Sequence, residues 1–342
     1  MDTKAVVLKR KGEPNEAFEL KQITLPNLKS DELLIESEAF GLNYADVMAR
    51  NGLYRDAPPM PCVIGYEVVG KVIETGSDAD QSLLGSRVLA FCRFGGYGKH
   101  VITKSNAAIQ IENLPFQEVL ALSTQAVTAF YMTDVLSPVL KKDKVLIHAA
   151  AGGVGTILIQ LAKKRGAMVI AKVGTNEKVK VVEELGADFV INYNEKEYSN
   201  EVRNILKGAS LDIVYNPVGG STFKKDWKLL GSGGRLFIFG GSELSGGKFG
   251  LLSSLNFLRK MGLVIPATLM MSSKSILGVN MLKIADARPE IMQSCLQELM
   301  HLYTSNKIQV CVGGSFEVGQ ISEAHALLES GKSKGKISVR WD

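Results

Sequence analysis

Cysteine is scarce in this chain, and the four present, Cys62, Cys92, Cys295 and Cys311, stand far apart with no Cys-x-x-C among them. That spacing excludes a four-cysteine zinc site and offers no disulfide framework. The cysteines read as small apolar side chains in a reducing cytoplasm. Histidine is equally sparse: His100, His148, His301 and His325 show no metal-ligand spacing. No apolar window reaches the ~20 residues that a membrane-spanning helix needs. The longest apolar region, 249–282, is interrupted by Arg259, Lys260, Pro266 and Lys274. The opening MDTKAVVLKRKGEP lacks the apolar core of a signal peptide. A net charge of only +5, with dispersed lysines and no long basic run, argues against nucleic acid as a partner. Internal repeats and low-complexity segments are absent too.

What is present is a soluble globular composition, 46% hydrophobic and 22% charged, over 342 residues, a length suited to two domains. From Lys144 onward short apolar runs alternate with helical segments. KVLIHAA, AMVIAKV, DFVINY, LDIVYN, RLFIF and SILGV read as six strands. Helices are expected over Gly153–Arg165, Glu177–Leu185, Glu195–Leu206 and Thr222–Leu230. Continuous apolar runs are the mark of strands buried on both faces, and helical crossovers make the sheet parallel and doubly wound. The fold class is therefore α/β, of the Rossmann type. The first ~120 residues differ, with short strands punctuated by Gly, Pro and Asp, as in an all-β barrel-like domain. After the sixth strand come a helix over Pro289–Ser305, a strand IQVCV, a helix over Ser322–Glu329 and a final strand KISVRW, which return to the first domain. The expected division is 1–124 and 281–342 for the barrel-like part and 125–280 for the Rossmann part. An apolar insert occupies 249–274; a lid, a pocket wall, a partner surface or an ordinary buried helix pair all fit it.

The strand KVLIHA runs into Ala150-x-Gly152-x-x-Gly155 and then a helix, a dinucleotide fingerprint with alanine in the first position. Glycines there let backbone approach a pyrophosphate, which the helix N-terminus then faces with N–H groups and dipole. Ala150, Gly152, Gly153, Val154 and Gly155 are the expected contacts. ATP is disfavoured, because a P-loop needs Gly-Lys-Ser/Thr and Thr156 follows Gly155. An NAD site places an acid at the tip of the second strand. Here that tip reads Lys172-Val173-Gly174-Thr175-Asn176, and Glu177 comes only later, beside Lys178. A carboxylate would repel a 2′-phosphate, whereas a hydroxyl and an ammonium would hold one. Gly174, Thr175, Lys178 and Tyr193 thus favour NADPH, although Lys178 also reads as a solvated helix lysine and Tyr193 as a surface residue.

The segment VIGYEVVG raises the question of a metal. Zinc-dependent alcohol dehydrogenases have Gly-His-Glu there; this chain has Gly65-Tyr66-Glu67, and Asn43 stands where an upstream cysteine ligand is expected. Without a Lewis acid, hydride delivery suits an acceptor that is already electron-poor, such as a quinone or a conjugated enal or enone. GLNYADVMARNGLY, PPMPCVIGYEVVG, HAAAGGVGTILIQLAK, VYNPVGG and GKSKGKISV together resemble the zinc-free quinone oxidoreductase branch of the medium-chain dehydrogenase/reductase superfamily. ADVMARNGLY and the insert before SILGVNML give a narrower likeness to the vesicle amine transport protein homologues.

The resemblance implies a GroES-like catalytic domain beside the Rossmann domain, with nicotinamide at the floor of a cleft. It implies Asn43, Asp46 and Tyr54 near nicotinamide and acceptor, and Thr128 at the carboxamide. Asn216, Pro217, Val218, Phe239 and Gly240 would contact ribose and ring, and Leu277, Gly278, Val279 and Asn280 would lie by the nicotinamide. The resemblance also implies Lys332 as a second phosphate contact. Asn43 and Asp46 also read as helix caps, Tyr54 as a turn-packing residue and Tyr66 as filler for a missing ligand. The implied protein is a cytoplasmic, homodimeric NADPH-dependent reductase of quinones or activated alkenes, taking its proton from water, Tyr54 or a nearby hydroxyl. The narrower likeness implies an alternative: an NADPH-binding protein acting through membrane or protein partners, with the insert as docking element.

Overall fold

The computed structural model describes residues 1–111, 113–244 and 250–341, the side chains of 250–253 excepted. The chain forms two compact units, residues 1–127 with 281–342, and residues 128–280.

The first unit is built on antiparallel strands. β1 (Asp2–Leu8) pairs with β2 (Phe18–Thr24). β3 (Glu32–Leu42), β4 (Glu67–Thr75), β5 (Arg87–Phe91), β6 (His100–Lys104) and β7 (Ala108–Gln110) follow. Alternation in β1 and the apolar stretches of β3 to β5 place Val6, Leu8, Ile35, Phe40, Leu42, Val68 and Val88 in one core. Burying each such side chain contributes roughly 1.5–3 kcal/mol.

The second unit carries a six-stranded parallel sheet: β8 (Lys144–Ile147), β9 (Met168–Val173), β10 (Phe189–Asn192), β11 (Leu211–Asn216), β12 (Leu230–Ile238) and β13 (Ser275–Gly278). Their spatial order is β10-β9-β8-β11-β12-β13, so the order reverses beside β8. This is the doubly wound α/β fold expected from the alternation. The run Leu146, Ile170, Ile191, Val214 and Leu236 forms its core.

The chain then returns to the first unit with β14 (Val312–Glu317) and β15 (Lys336–Arg340). Its larger sheet is ordered β14-β15-β3-β4-β5-β7, with β6 also paired to β3. Expected elements differ from observed ones in places. The strand read at IQVCV begins only at Val312, where Val312 pairs with Lys336. The helix read from Glu195 begins at Tyr198, because 193–195 turn to leave the sheet. β7 and a helix at Met281–Ala287 were too short or too weakly periodic to stand out. The insert forms two helices, Gly250–Met261 and Pro266–Ser272; Phe249 lies outside the described residues. These helices are no buried pair: Leu258, Met270 and Met271 are 62%, 76% and 81% exposed, and Leu263 between the helices is 90% exposed. No described helix is long and apolar enough to cross a membrane.

Candidate functional site

The glycine-rich turn lies where β8 meets the helix Gly153–Lys164, with Gly152 as its N-cap. Backbone bonds define it: His148 N–H donates to the Tyr215 carbonyl (3.0 Å), Ala150 N–H to Lys172 (3.1 Å) and Gly152 N–H to Ala149 (2.9 Å). Ala149 takes φ 49°, the left-handed region that closes the turn. Gly155 is required by close approach: a Cβ there would lie 2.5 Å from the Ala150 carbonyl oxygen and 2.6 Å from that of Ala149. A Cβ on Gly152 would meet only Ala149, at 3.2 Å. The loop is therefore locked to the helix on its inner side, while the N–H groups of Gly153, Val154 and Gly155 belong to the first turn, which lacks internal acceptors.

At the tip of β9, Gly174 faces the Tyr193 hydroxyl, 2.7 Å from where a Cβ would stand. Asn194 Nδ2 donates to the Gly174 carbonyl at 2.6 Å, fixing the turn. Thr175 occupies the N-cap position of the helix Asn176–Glu184, and Lys178 on its first turn is buried, so the reading of Lys178 as a solvated lysine does not hold. Tyr193 is about half exposed beside them.

The remaining expected positions gather at the ends of β11, β12 and β13. Phe239 N–H donates to the Asn216 carbonyl (3.3 Å), and Val279 N–H to that of Ile238 (2.9 Å). A Cβ on Gly240 would sit 2.6 Å from the Pro217 oxygen. Asn216 Oδ1 accepts from the N–H groups of Val218 (2.7 Å) and Gly219 (2.9 Å), holding that turn. Leu277 and Gly278 end β13, and Val279 and Asn280 follow. These residues thus share the carboxyl edge of one sheet, at its switch of strand order, where open α/β sheets bind ligands. Thr128 is buried in the helix Thr124–Phe130. Lys332 is exposed in the first unit.

Behind that edge runs a buried polar network that the sequence reading missed. Asp226 accepts from Tyr198 Oη (2.9 Å), from His148 Nε2 (3.0 Å) and from Asn216 Nδ2 (2.5 Å). His148 is fully buried, and burial holds its pKa below the usual range, so it is neutral with its proton toward Asp226. Its Nδ1 then accepts from Lys172 Nζ at 3.2 Å. A lone histidine and an aspartate 78 residues apart in sequence carry no spacing signal; only the fold brings them together.

The first unit holds a second cluster. Asn43 is the N-cap of the helix Tyr44–Arg50, and its N–H donates to Asp46 Oδ2 at 2.7 Å. Asn43 Nδ2 donates to Glu67 Oε1 (2.9 Å), and its Oδ1 accepts from Lys336 Nζ (3.1 Å). Lys336 and Glu67 form a buried ion pair, and Thr124 Oγ1 donates to the other Glu67 oxygen. Burial raises the Asp46 carboxyl to about 7, opposed by the Asn43 N–H bond, with Glu67 pushing it further up. Burial also pushes Tyr54 to about 12. The ring of Tyr54 meets Tyr66 edge-on at 6.3 Å, and the Tyr66 hydroxyl is buried without a hydrogen-bond partner among the described residues. The donor set does not fit zinc. The Asn43 amide is spent on Glu67 and Lys336, while burial pushes both the Tyr66 phenol and the Cys92 thiol well up, keeping them neutral. Among the described residues no group of His, Cys, Asp and Glu is arranged to hold a metal.

Comparison with known proteins agrees with this architecture. Residues 29–113 match the alcohol dehydrogenase GroES-like domain and residues 153–299 the zinc-binding dehydrogenase family. Quinone oxidoreductase 1 of Escherichia coli is 30% identical over 324 residues, 94% of each chain. The synaptic vesicle membrane protein VAT-1 homolog of Danio rerio is 30% identical over 91% of this chain, which spans only 64% of that relative's length. The crystal structure of Escherichia coli quinone oxidoreductase complexed with NADPH superposes with a TM-score of 0.85 at 26% identity, covering 98% of this chain and 99% of that one. The chain belongs to the quinone oxidoreductase family of the medium-chain dehydrogenase/reductase superfamily.

Proposed function

We propose that the protein is an NADPH-dependent, zinc-independent oxidoreductase that reduces a quinone or an activated alkene. The observation that carries this reading is the phosphate loop, with Gly155 wedged against two loop carbonyls at the head of a helix. A coenzyme-bound relative of the same fold supports it. Gly152, Gly153, Val154 and Gly155 would hold the pyrophosphate, and Thr175, Lys178 and Tyr193 the 2′-phosphate. Asn216 to Val218, Phe239, Gly240 and Leu277 to Asn280 would line the nicotinamide half, with Thr128 and Lys332 as further contacts. When bound, NADPH supplies a hydride from its nicotinamide C4. Asp46 holds a proton below about pH 7, and the neutral phenols of Tyr54 and Tyr66 sit beside it. This group is the unit's own source of a proton near neutrality.

Fluorescence titration with NADPH and NADH, followed by a quinone and enone panel read at the nicotinamide absorbance, tests the reading. Tighter NADPH binding and steady oxidation are expected; no affinity for either coenzyme rejects it. The exposed Leu263, Met270 and Met271 favour a second reading, a coenzyme-binding protein that docks on a membrane or a protein partner. NADPH binding with complete inactivity across the panel would favour it. A homodimer joined through the edge strand β13 completes the proposal.

A further inference from the structure

We propose that Lys172 is a coenzyme-specificity residue, positioning Tyr193 and supplying positive charge to the 2′-phosphate corner. The inference rests on the NADPH reading and adds a residue beyond Thr175, Lys178 and Tyr193. Lys172 Nζ lies 4.7 Å from the centroid of the Tyr193 ring and 4.2 Å from that of Tyr198, within cation–π range of both. Its side chain is buried, at 7% exposure, and its link to a carboxylate runs through the His148 imidazole to Asp226. An ammonium held by two ring faces and one imidazole is a costly way to fill a core position that a methionine would fill without charge. The buried Asp226 carboxylate balances part of that charge, and Tyr193 carries its influence to the surface. Tyr193 is the outlet, because it is half exposed and its hydroxyl stands against Gly174 at the strand tip.

The groups facing the ammonium are His148 after β8, Tyr193 after β10, and Glu197 and Tyr198 at the start of the helix Tyr198–Leu206. Lys225 and Asp226 face it from the helix Phe223–Leu229. Burial lowers Lys172 to about 8; Asp226 and Glu197 oppose this, and Lys225 adds to it. A dianionic phosphate at the Tyr193 corner would favour the charged lysine, and the 2′-hydroxyl of NADH would not. By linkage, preference for NADPH is greatest below about pH 8 and falls as Lys172 loses its proton.

The test is fluorescence titration of wild type, Lys172→Met and Lys172→Arg with NADPH and NADH at pH 7 and pH 9. In wild type the ratio of the two affinities should fall by about tenfold over that range, a coupling near 1.4 kcal/mol. Lys172→Met should give the low ratio at both pH values. Lys172→Arg should keep the high ratio and lose the pH slope, an outcome that mere packing would not produce. An unchanged ratio and slope in Lys172→Met overturns the inference while leaving the NADPH reading standing. Should that variant not fold, a flat ratio in wild type overturns it equally. Failure of wild type to bind either coenzyme overturns both.

Discussion

Asp46 has its carboxyl raised by burial to about 7, against an ordinary value of 3.8. Between those values the folded protein binds more protons than the unfolded chain, so stability falls as pH rises through the window and levels off above about 7. Asp46→Asn keeps an acceptor for the Asn43 N–H and removes the charge. Urea unfolding of both proteins at pH 5 and pH 8 should show the variant gaining on wild type at the higher pH by ~2 kcal/mol. An equal difference at the two pH values would contradict the assignment. Glu67 and Lys336 form a buried ion pair in the same cluster, each satisfying the other in a dry site. Lys336→Met leaves an uncompensated buried carboxylate and should cost ~3–5 kcal/mol, whereas the double replacement Glu67→Leu with Lys336→Met should recover part of that loss. Denaturant midpoints at constant slope check both.

The element that matters most is the strand–turn–helix around Gly155. A methyl group there would enter the space of the Ala149 and Ala150 carbonyls, so the helix must shift away from the loop. Gly155→Ala should lower NADPH affinity by about tenfold or more, with a stability loss of ~1–3 kcal/mol from the overpacked contact. Titration and thermal unfolding of the same sample separate the two effects. Gly152 is a gentler case, because its added Cβ would meet only Ala149. Much of this element was legible in the sequence. Apolar continuity marked β8 and β9, and the fingerprint glycines marked backbone open to a pyrophosphate, whereas the packing of Gly155 against the Ala149 and Ala150 carbonyls came from the structure. The Lys172–His148–Asp226 chain was not legible, because its members sit on β9, on the turn after β8 and in the helix Phe223–Leu229, and no local period joins them.

At the scale of the whole molecule, the insert and the sheet edge are the features that invite partners. The structure leaves Leu263, Met270 and Met271 on the surface of the second unit. Met270→Asp with Met271→Asp should leave stability within about 0.5 kcal/mol, as for exposed positions. If the docking reading is right, the same variant should lose liposome or partner binding while NADPH affinity stays the same. Size-exclusion chromatography with light scattering should return twice the chain mass of 37.1 kDa, the outcome expected of pairing through β13. A mass of one chain would reject the homodimer.

The sequence by itself determined the α/β alternation, the phosphate loop and the absence of an acid at the tip of β9, because each is written in neighbouring residues whose period or backbone freedom acts locally. Only the tertiary structure decided that Asn43 is tied to Glu67 and Lys336, that Lys178 is buried and that Lys172 rests between two tyrosine rings. Burial, desolvation and cation–π contact arise between segments that sequence order keeps far apart, so no local pattern encodes them.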